Sequence, residues 1–162
     1  MNEPRIRVGA GAIVERDGGL LLVRLTYGWA AGRWVVPNGG QDPGESLARC
    51  AERELAEETG LVGEAGRIVA VRSLSSPLGS DTFVGLETTV VDGEPRPDGE
   101  ETDGAQFFDL AAVRELDKRD QIVRLHRLIA EHVLGSDPQP KVQTLPARDR
   151  AGNTATAVVY LL

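Results

Sequence analysis

The chain has a single cysteine, Cys50, so neither an intrachain disulfide nor a cysteine-based zinc cluster can form, and a reducing cytoplasm is the expected compartment. Cys50 then reads as a small buried apolar residue. No stretch approaches the roughly 18 apolar residues of a membrane span. The opening MNEPRIRVGAG has no basic region followed by an apolar run, so neither export nor membrane embedding is expected. Cations are in deficit: 18 Lys and Arg stand against 25 Asp and Glu, a net charge of -7, which argues against an electrostatic grip on duplex nucleic acid or an anionic membrane. A protein of this charge needs a local cation to hold phosphates. Low complexity and internal repeats are absent too. With 41% hydrophobic and 27% charged residues in 162, the composition is that of one soluble globular domain.

Ile6 to Glu15 reads as a strand, turned by Asp17-Gly18-Gly19 into Leu20 to Leu25 to make a hairpin. Trp34-Val35-Val36 is a short strand stopped by Pro37-Asn38-Gly39-Gly40, and Trp34 is expected to anchor the core. From Ser46 to Thr59 run strong helix formers without Pro or Gly, and Gly60 sits where a left-handed helix end wants glycine. Ile68 to Leu74, Thr82 to Val91 and Phe107-Phe108 carry strand composition, and Asp109 to Glu115 reads as a turn. Gln121 to Leu134 spaces Ile122, Leu125, Ile129 and Val133 as a helix, on which His126 and His132 read as ordinary helix residues. Strands that surround two helices in mixed order point to an α+β fold.

On the Ser46 to Thr59 helix, Glu54, Glu57 and Glu58 stand at i, i+3 and i+4 and share one arc of surface. Like charges at this spacing cost a helix about 0.2–0.5 kcal/mol per pair, so the arrangement works against local stability. A solvated acidic face would show the same pattern, and the preceding loop decides between the two readings. Residues 39–61, GGQDPGESLARCAERELAEETGL, fit G-x(5)-E-x(7)-R-E-U-x-E-E-x-G-U at every fixed position, with U aliphatic. Chance agreement at seven fixed residues is on the order of one in ten million. The protein resembles a Nudix hydrolase, and Trp34-Val35-Val36-Pro37 and Phe107-Phe108-Asp109-Leu110 extend the resemblance beyond the box.

The resemblance implies an α/β/α sandwich around a mixed β-sheet over residues 1–135, and hydrolysis of a pyrophosphate bond with Mg²⁺ or Mn²⁺ as cofactor. It implies Glu54, Glu57 and Glu58 as metal ligands, Glu54 or Glu57 as the base, and Arg53 as the group that orients the carboxylates. Hard oxygen ligands suit these cations, which can screen a polyanionic substrate from an acidic site. Glu45 would tie the loop to the helix, while Gly39, Gly44 and Gly60 would serve backbone geometry. Asn38 stands where the family often has glycine; its carbonyl would keep a metal-binding role if the backbone shape survives, and Asn tolerates left-handed geometry. Glu101 is the nearest counterpart of a further ligand from a later loop, with Glu100 and Asp103 as rivals.

The box names the bond and leaves the rest of the substrate open. Tyr27 and Trp29 are loop rings placed to stack on a base, and Pro77 falls near where ADP-ribose pyrophosphatases often carry proline. ADP-ribose or a nucleotide sugar is the expected substrate. The alternatives are a pool-cleaning (d)NTP pyrophosphohydrolase and a noncatalytic nucleotide-binding sensor. Residues 136–162 read as a C-terminal extension, with Lys141 to Pro146 and Thr154 to Leu162 as a hairpin that docks on its own domain or on a second subunit, a homodimer being the favoured assembly.

Overall fold

The computed structural model describes residues 4–162; Met1 to Glu3, the start of the segment read for a leader, lie outside the described residues. Strand β1 (Arg5–Ile13) runs parallel to β7 (Gly79–Asp92) and antiparallel to the short β5 (Asn38–Gly40). Beyond β7 the sheet continues antiparallel through β6 (Val62–Ser76), β10 (Thr154–Leu161) and β9 (Lys141–Arg148), giving the order β5-β1-β7-β6-β10-β9. A second sheet centres on β3 (Gly19–Leu25), which pairs with β2 (Glu15–Arg16), β4 (Trp34–Val35) and β8 (Thr102–Phe108). Helix α1 (Leu47–Thr59) packs over β1 and β6, while α2 (Leu110–Lys118) and α3 (Arg124–Leu134) pack together on the other side. This is the expected α/β/α sandwich around a mixed sheet.

Small residues on β1 let α1 approach closely. Ala10 packs with Cys50, Ala51, Val84 and Leu86, and Ala12 with Leu21, Leu55 and Leu61. The larger core on the opposite face gathers Leu20, Leu22, Trp34, Phe83, Leu128 and Val159, among others, with the Trp34 and Phe108 rings edge to face at 4.7 Å. His126 is buried there. Its Nδ1 accepts the Val36 N–H at 3.2 Å, and burial pushes its pKa down to about 3, so it stays neutral.

Three expectations need correction. The hairpin is only β2–β3, because β1 leaves at Val14 for the other sheet; period-2 alternation shows which residues face a core but not which sheet the strand joins. Asp109 to Glu115 is not a turn: Asp109 caps α2, its carboxylate accepting the Ala112 N–H at 2.8 Å. Helix α3 starts at Arg124 rather than Gln121, since Gln121 O accepts the Trp34 N–H and Ile122 bridges Trp34.

The C-terminal hairpin adds two strands to the domain's own sheet, with β10 pairing Thr156↔Ser75 through Leu161↔Ala70 of β6. Val159 and Leu161 enter the main core, and His132 Nε2 lies 3.1 Å from Leu162 O. Each large side chain so buried contributes about 1.5–3 kcal/mol. Deleting residues 137–162 is therefore expected to lower the melting temperature by ~10 °C or more, or to leave the chain insoluble. A truncated protein that melts with the full chain would refute this.

Candidate active site

Ser46 Oγ accepts the Arg49 N–H to start α1, and Gly60, at φ 72°, ends it in a left-handed turn that donates its N–H to Ala56 O. Between these caps the helix carries its acidic arc. Glu54 and Glu58 are buried, whereas the Glu57 side chain is 58% exposed. Arg53 spends all five of its N–H donors on tying the arc to the loop before it. Nε and Nη2 grip the two oxygens of Glu45 at 2.8 and 3.0 Å, and Nη2 also reaches Gly40 O at 2.9 Å. Nη1 reaches Glu54 Oε1 at 2.7 Å and Glu57 Oε2 at 3.1 Å. The Arg53 hydrogen bonds hold the Glu45 carboxyl down at about 2, and the same ion pairs raise the Arg53 pKa. Glu45 thus ties the loop to the helix through Arg53.

Glu58 has no such cation. Burial, reinforced by the nearby Glu54, pushes its pKa up to about 8, against which its one hydrogen bond, from the Asn38 N–H at 3.1 Å, is a small offset. Burial likewise raises Glu54, with Arg53 opposing. Asn38 does not need its tolerance of left-handed geometry: it is a strand residue paired with Gly11, and its side chain donates to Val36 O at 2.6 Å. Gly39 also does more than shape the loop. A Cβ there would run into the Glu54 carboxylate. Gly39→Ala is expected to displace Glu54 and cut turnover ~100-fold or more with the fold kept; a Gly39→Ala enzyme near wild-type rates would contradict this close approach.

The loop before β8 closes the far side of the cluster. Thr26 N–H donates to Glu101 O at 3.0 Å and Thr26 Oγ1 to Glu100 O at 2.6 Å, while buried Thr102 donates its hydroxyl to Glu58 O at 3.1 Å. Glu101 is then close enough for its charge to raise both Glu54 and Glu58, and Tyr27 Oη lies 3.4 Å from Glu101 Oε2. Asp103 is held elsewhere, both of its oxygens on Arg24 at 2.7 and 3.1 Å. Thr26, Asp98 and Thr102 are site-shaping residues that the sequence did not mark. Asp98 Oδ1 accepts the Glu100 and Thr102 N–H groups at 3.0 and 2.8 Å.

Tyr27, against Glu101, and Trp29, two residues on, are more than half exposed and free to meet a planar ligand. Pro77 is not brought to the site. It forms the β6–β7 turn level with Arg5, about 13 Å along β1 from where β5 pairs, at 3.3 Å per residue. Among the described residues, no three acidic, His or Cys side chains already converge as a finished ion cage. The donor set still fits a hard divalent cation, since two buried carboxylates lie against the Asn38–Gly39 backbone and only one of them has a cationic partner. No helix among the described residues is long and apolar enough to cross a membrane.

The chain is 30% identical over 105 residues to an ADP-ribose pyrophosphatase of Methanocaldococcus jannaschii, covering 64% of this chain and 62% of that protein. It is 29% identical over 121 residues to the NAD-capped RNA hydrolase NudC of Pseudomonas aeruginosa, covering 75% of this chain and 42% of that one. It therefore spans less than two thirds of either relative. A NUDIX hydrolase structure from Nitrosomonas europaea superposes with a TM-score of 0.67 at 23% identity, over 76% of this chain and 85% of that one, which shows the shared fold. The family model for the NUDIX domain matches residues 5–129. With the box, the sandwich and that match in agreement, the chain belongs to the Nudix family.

Proposed function

We propose that the chain hydrolyses the pyrophosphate bond of a nucleoside diphosphate linked to another group, with ADP-ribose or a nucleotide sugar as substrate. The observation that carries this reading is the burial of Glu58 against Glu54 without a cation of its own, near the end of an intact box. Glu54, Glu57, Glu58, Glu101 and the Asn38 carbonyl are the groups that would hold Mg²⁺ or Mn²⁺. When bound, the ion supplies charge screening between substrate and protein and polarises the phosphoryl oxygens.

The chain's own residues do the rest. Arg53 fixes the rotamers of Glu54 and Glu57, and Glu45 anchors Arg53 to the loop. Tyr27 and Trp29 stack on the base, holding the diphosphate over the carboxylates. Glu57 is exposed and has one oxygen not engaged by Arg53, so it is placed to take the proton of the attacking water. The water oxygen bonds to one phosphorus, the bridging P–O bond breaks, and its electron pair leaves with the departing phosphate. Two monophosphates result.

A nucleotide screen with Mg²⁺ or Mn²⁺ and chromatographic identification of products tests the reading. The expected products from ADP-ribose are AMP and ribose 5-phosphate. Turnover of triphosphates alone, with pyrophosphate released, would replace this reading with pool cleaning, and binding without turnover would point to a sensor. The name of the M. jannaschii relative supports the diphosphate reading.

A further inference from the structure

Strand register lays Gly40, Gly9, Phe83 and Arg72 in one row across β5, β1, β7 and β6, on the sheet face that packs α3. The row starts at the box loop, where the Gly40 carbonyl accepts Arg53 Nη2. No side chain stands over its first two positions. Nothing lies within 4 Å of where a Gly40 Cβ would be, and only the Gly39–Gly40 backbone comes that near a Gly9 Cβ. A lane without side chains therefore leads from the box loop over β1 toward Phe83, about 10 Å or two strand spacings away.

At the end of this lane stand two groups that the hydrolytic step leaves unused. His126, 5% exposed, accepts the Val36 N–H through Nδ1, so its neutral ring carries the proton on Nε2, which makes no hydrogen bond to another described residue. Arg72 spends only Nη2, on Asp81; among the described residues its buried Nε has no partner and its Nη1 is unengaged. The two are neighbours. The Arg72 charge adds to burial in keeping His126 neutral, and the His126 ring meets Phe83 edge to face at 5.8 Å. Asp81 lies in the next row, level with exposed Arg7, so the guanidinium bonded to it turns from β6 back toward β7. Arg150, in the turn of the C-terminal hairpin, comes within 4.0 Å of the other Asp81 oxygen.

Donors so buried ordinarily have acceptors, and the set here selects what supplies them. Phe83 is only 6% exposed, which leaves no open ring for a base to stack on. The Asp81 carboxylate beside the donors opposes a further phosphate. Donors and an acceptor together suit hydroxyl groups, which accept and donate at once. We propose that Arg72, Asp81 and His126 hold the group joined to the diphosphate on the side away from the base, and that this group is a sugar with free hydroxyls. The inference rests on the reaction proposed above. Tyr27 and Trp29 take the base at one end, and the glycine lane carries the sugar to the other. Arg72 Nη1 and His126 Nε2 donate to its hydroxyl oxygens, and Asp81 accepts a hydroxyl proton.

The test compares kcat/KM for ADP-ribose with that for the β-methyl ester of ADP, which offers the same bond and no sugar beyond it, both with Mg²⁺. Wild type should prefer ADP-ribose at least ~30-fold, and Arg72→Met should cut that preference at least ~10-fold. Asp81→Asn, which keeps the side-chain volume, should cut it similarly and carries the test should Arg72→Met misfold. Equal use of the two esters by wild type, or a loss shared equally by both esters in the variants, would overturn the proposal while the hydrolase reading stands. Hydrolysis of neither ester, with triphosphates turned over instead, would remove that reading and this inference with it.

Discussion

Replacing Glu58 with Gln is expected to lower kcat/KM by ~1,000-fold, about 4 kcal/mol of transition-state stabilisation, while the fold persists. Gln keeps the side-chain volume and can still accept the Asn38 N–H, so what is lost is the negative charge. The same substitution should change the pH dependence of stability in the metal-free protein. Glu58 titrates at about 8 in the folded chain against 4.5 ordinarily. Between these values the folded state holds a proton that the unfolded state has released. This group's stabilising contribution is therefore fully present below pH 4.5 and is lost as pH rises through 8, by on the order of a few kcal/mol. The difference in unfolding free energy between Glu58→Gln and wild type should grow in the variant's favour over that window. Glu45 and His126 have the opposite slope, but they are common to both proteins and cancel in the difference. Chemical unfolding from pH 5 to pH 8.5 measures it, and a flat difference would show that Glu58 is already ionised. Saturating Mg²⁺ should flatten the wild-type curve.

Arg53→Lys is expected to cost ~100-fold in turnover and about 2 kcal/mol in stability, although it preserves charge. The guanidinium binds both Glu45 oxygens, Gly40 O, Glu54 and Glu57 at once. An ammonium has three donors on one nitrogen and cannot span the fork. Glu54, raised by its burial, then loses the cation that opposes that rise, and the loop loses its tie to the helix. Steady-state kinetics and thermal melts read both effects. A Lys variant within ~3-fold of wild type would mean that Arg53 forms an ordinary surface ion pair.

What could be read ahead of the structure was local. Helix α1, its Ser46 and Gly60 ends and the arc of Glu54, Glu57 and Glu58 all follow from residue spacing along one helix. The C-terminal hairpin was equally readable from strand composition around Arg150 to Asn153, and its partner β6 was not, since pairing is a long-range choice. The far wall of the site was hidden for the same reason. Thr102 reaches Glu58 across 44 positions, and Arg24 removes Asp103 from contention across 79. Nothing in the composition of EETDG says which acid the backbone will aim. The demand for glycine at position 39 is hidden in the sequence because it comes from a neighbouring carboxylate rather than from its own dihedral angles.

The α1 carboxylates are proposed as a divalent-metal site serving a diphosphate. The most direct test is a Mn²⁺ titration followed by electron paramagnetic resonance, on wild type and Glu58→Gln, each with α,β-methylene ADP present. Saturable Mn²⁺ uptake by wild type and at least ~10-fold weaker uptake by the variant are expected. Equal binding by the two proteins would contradict the assignment.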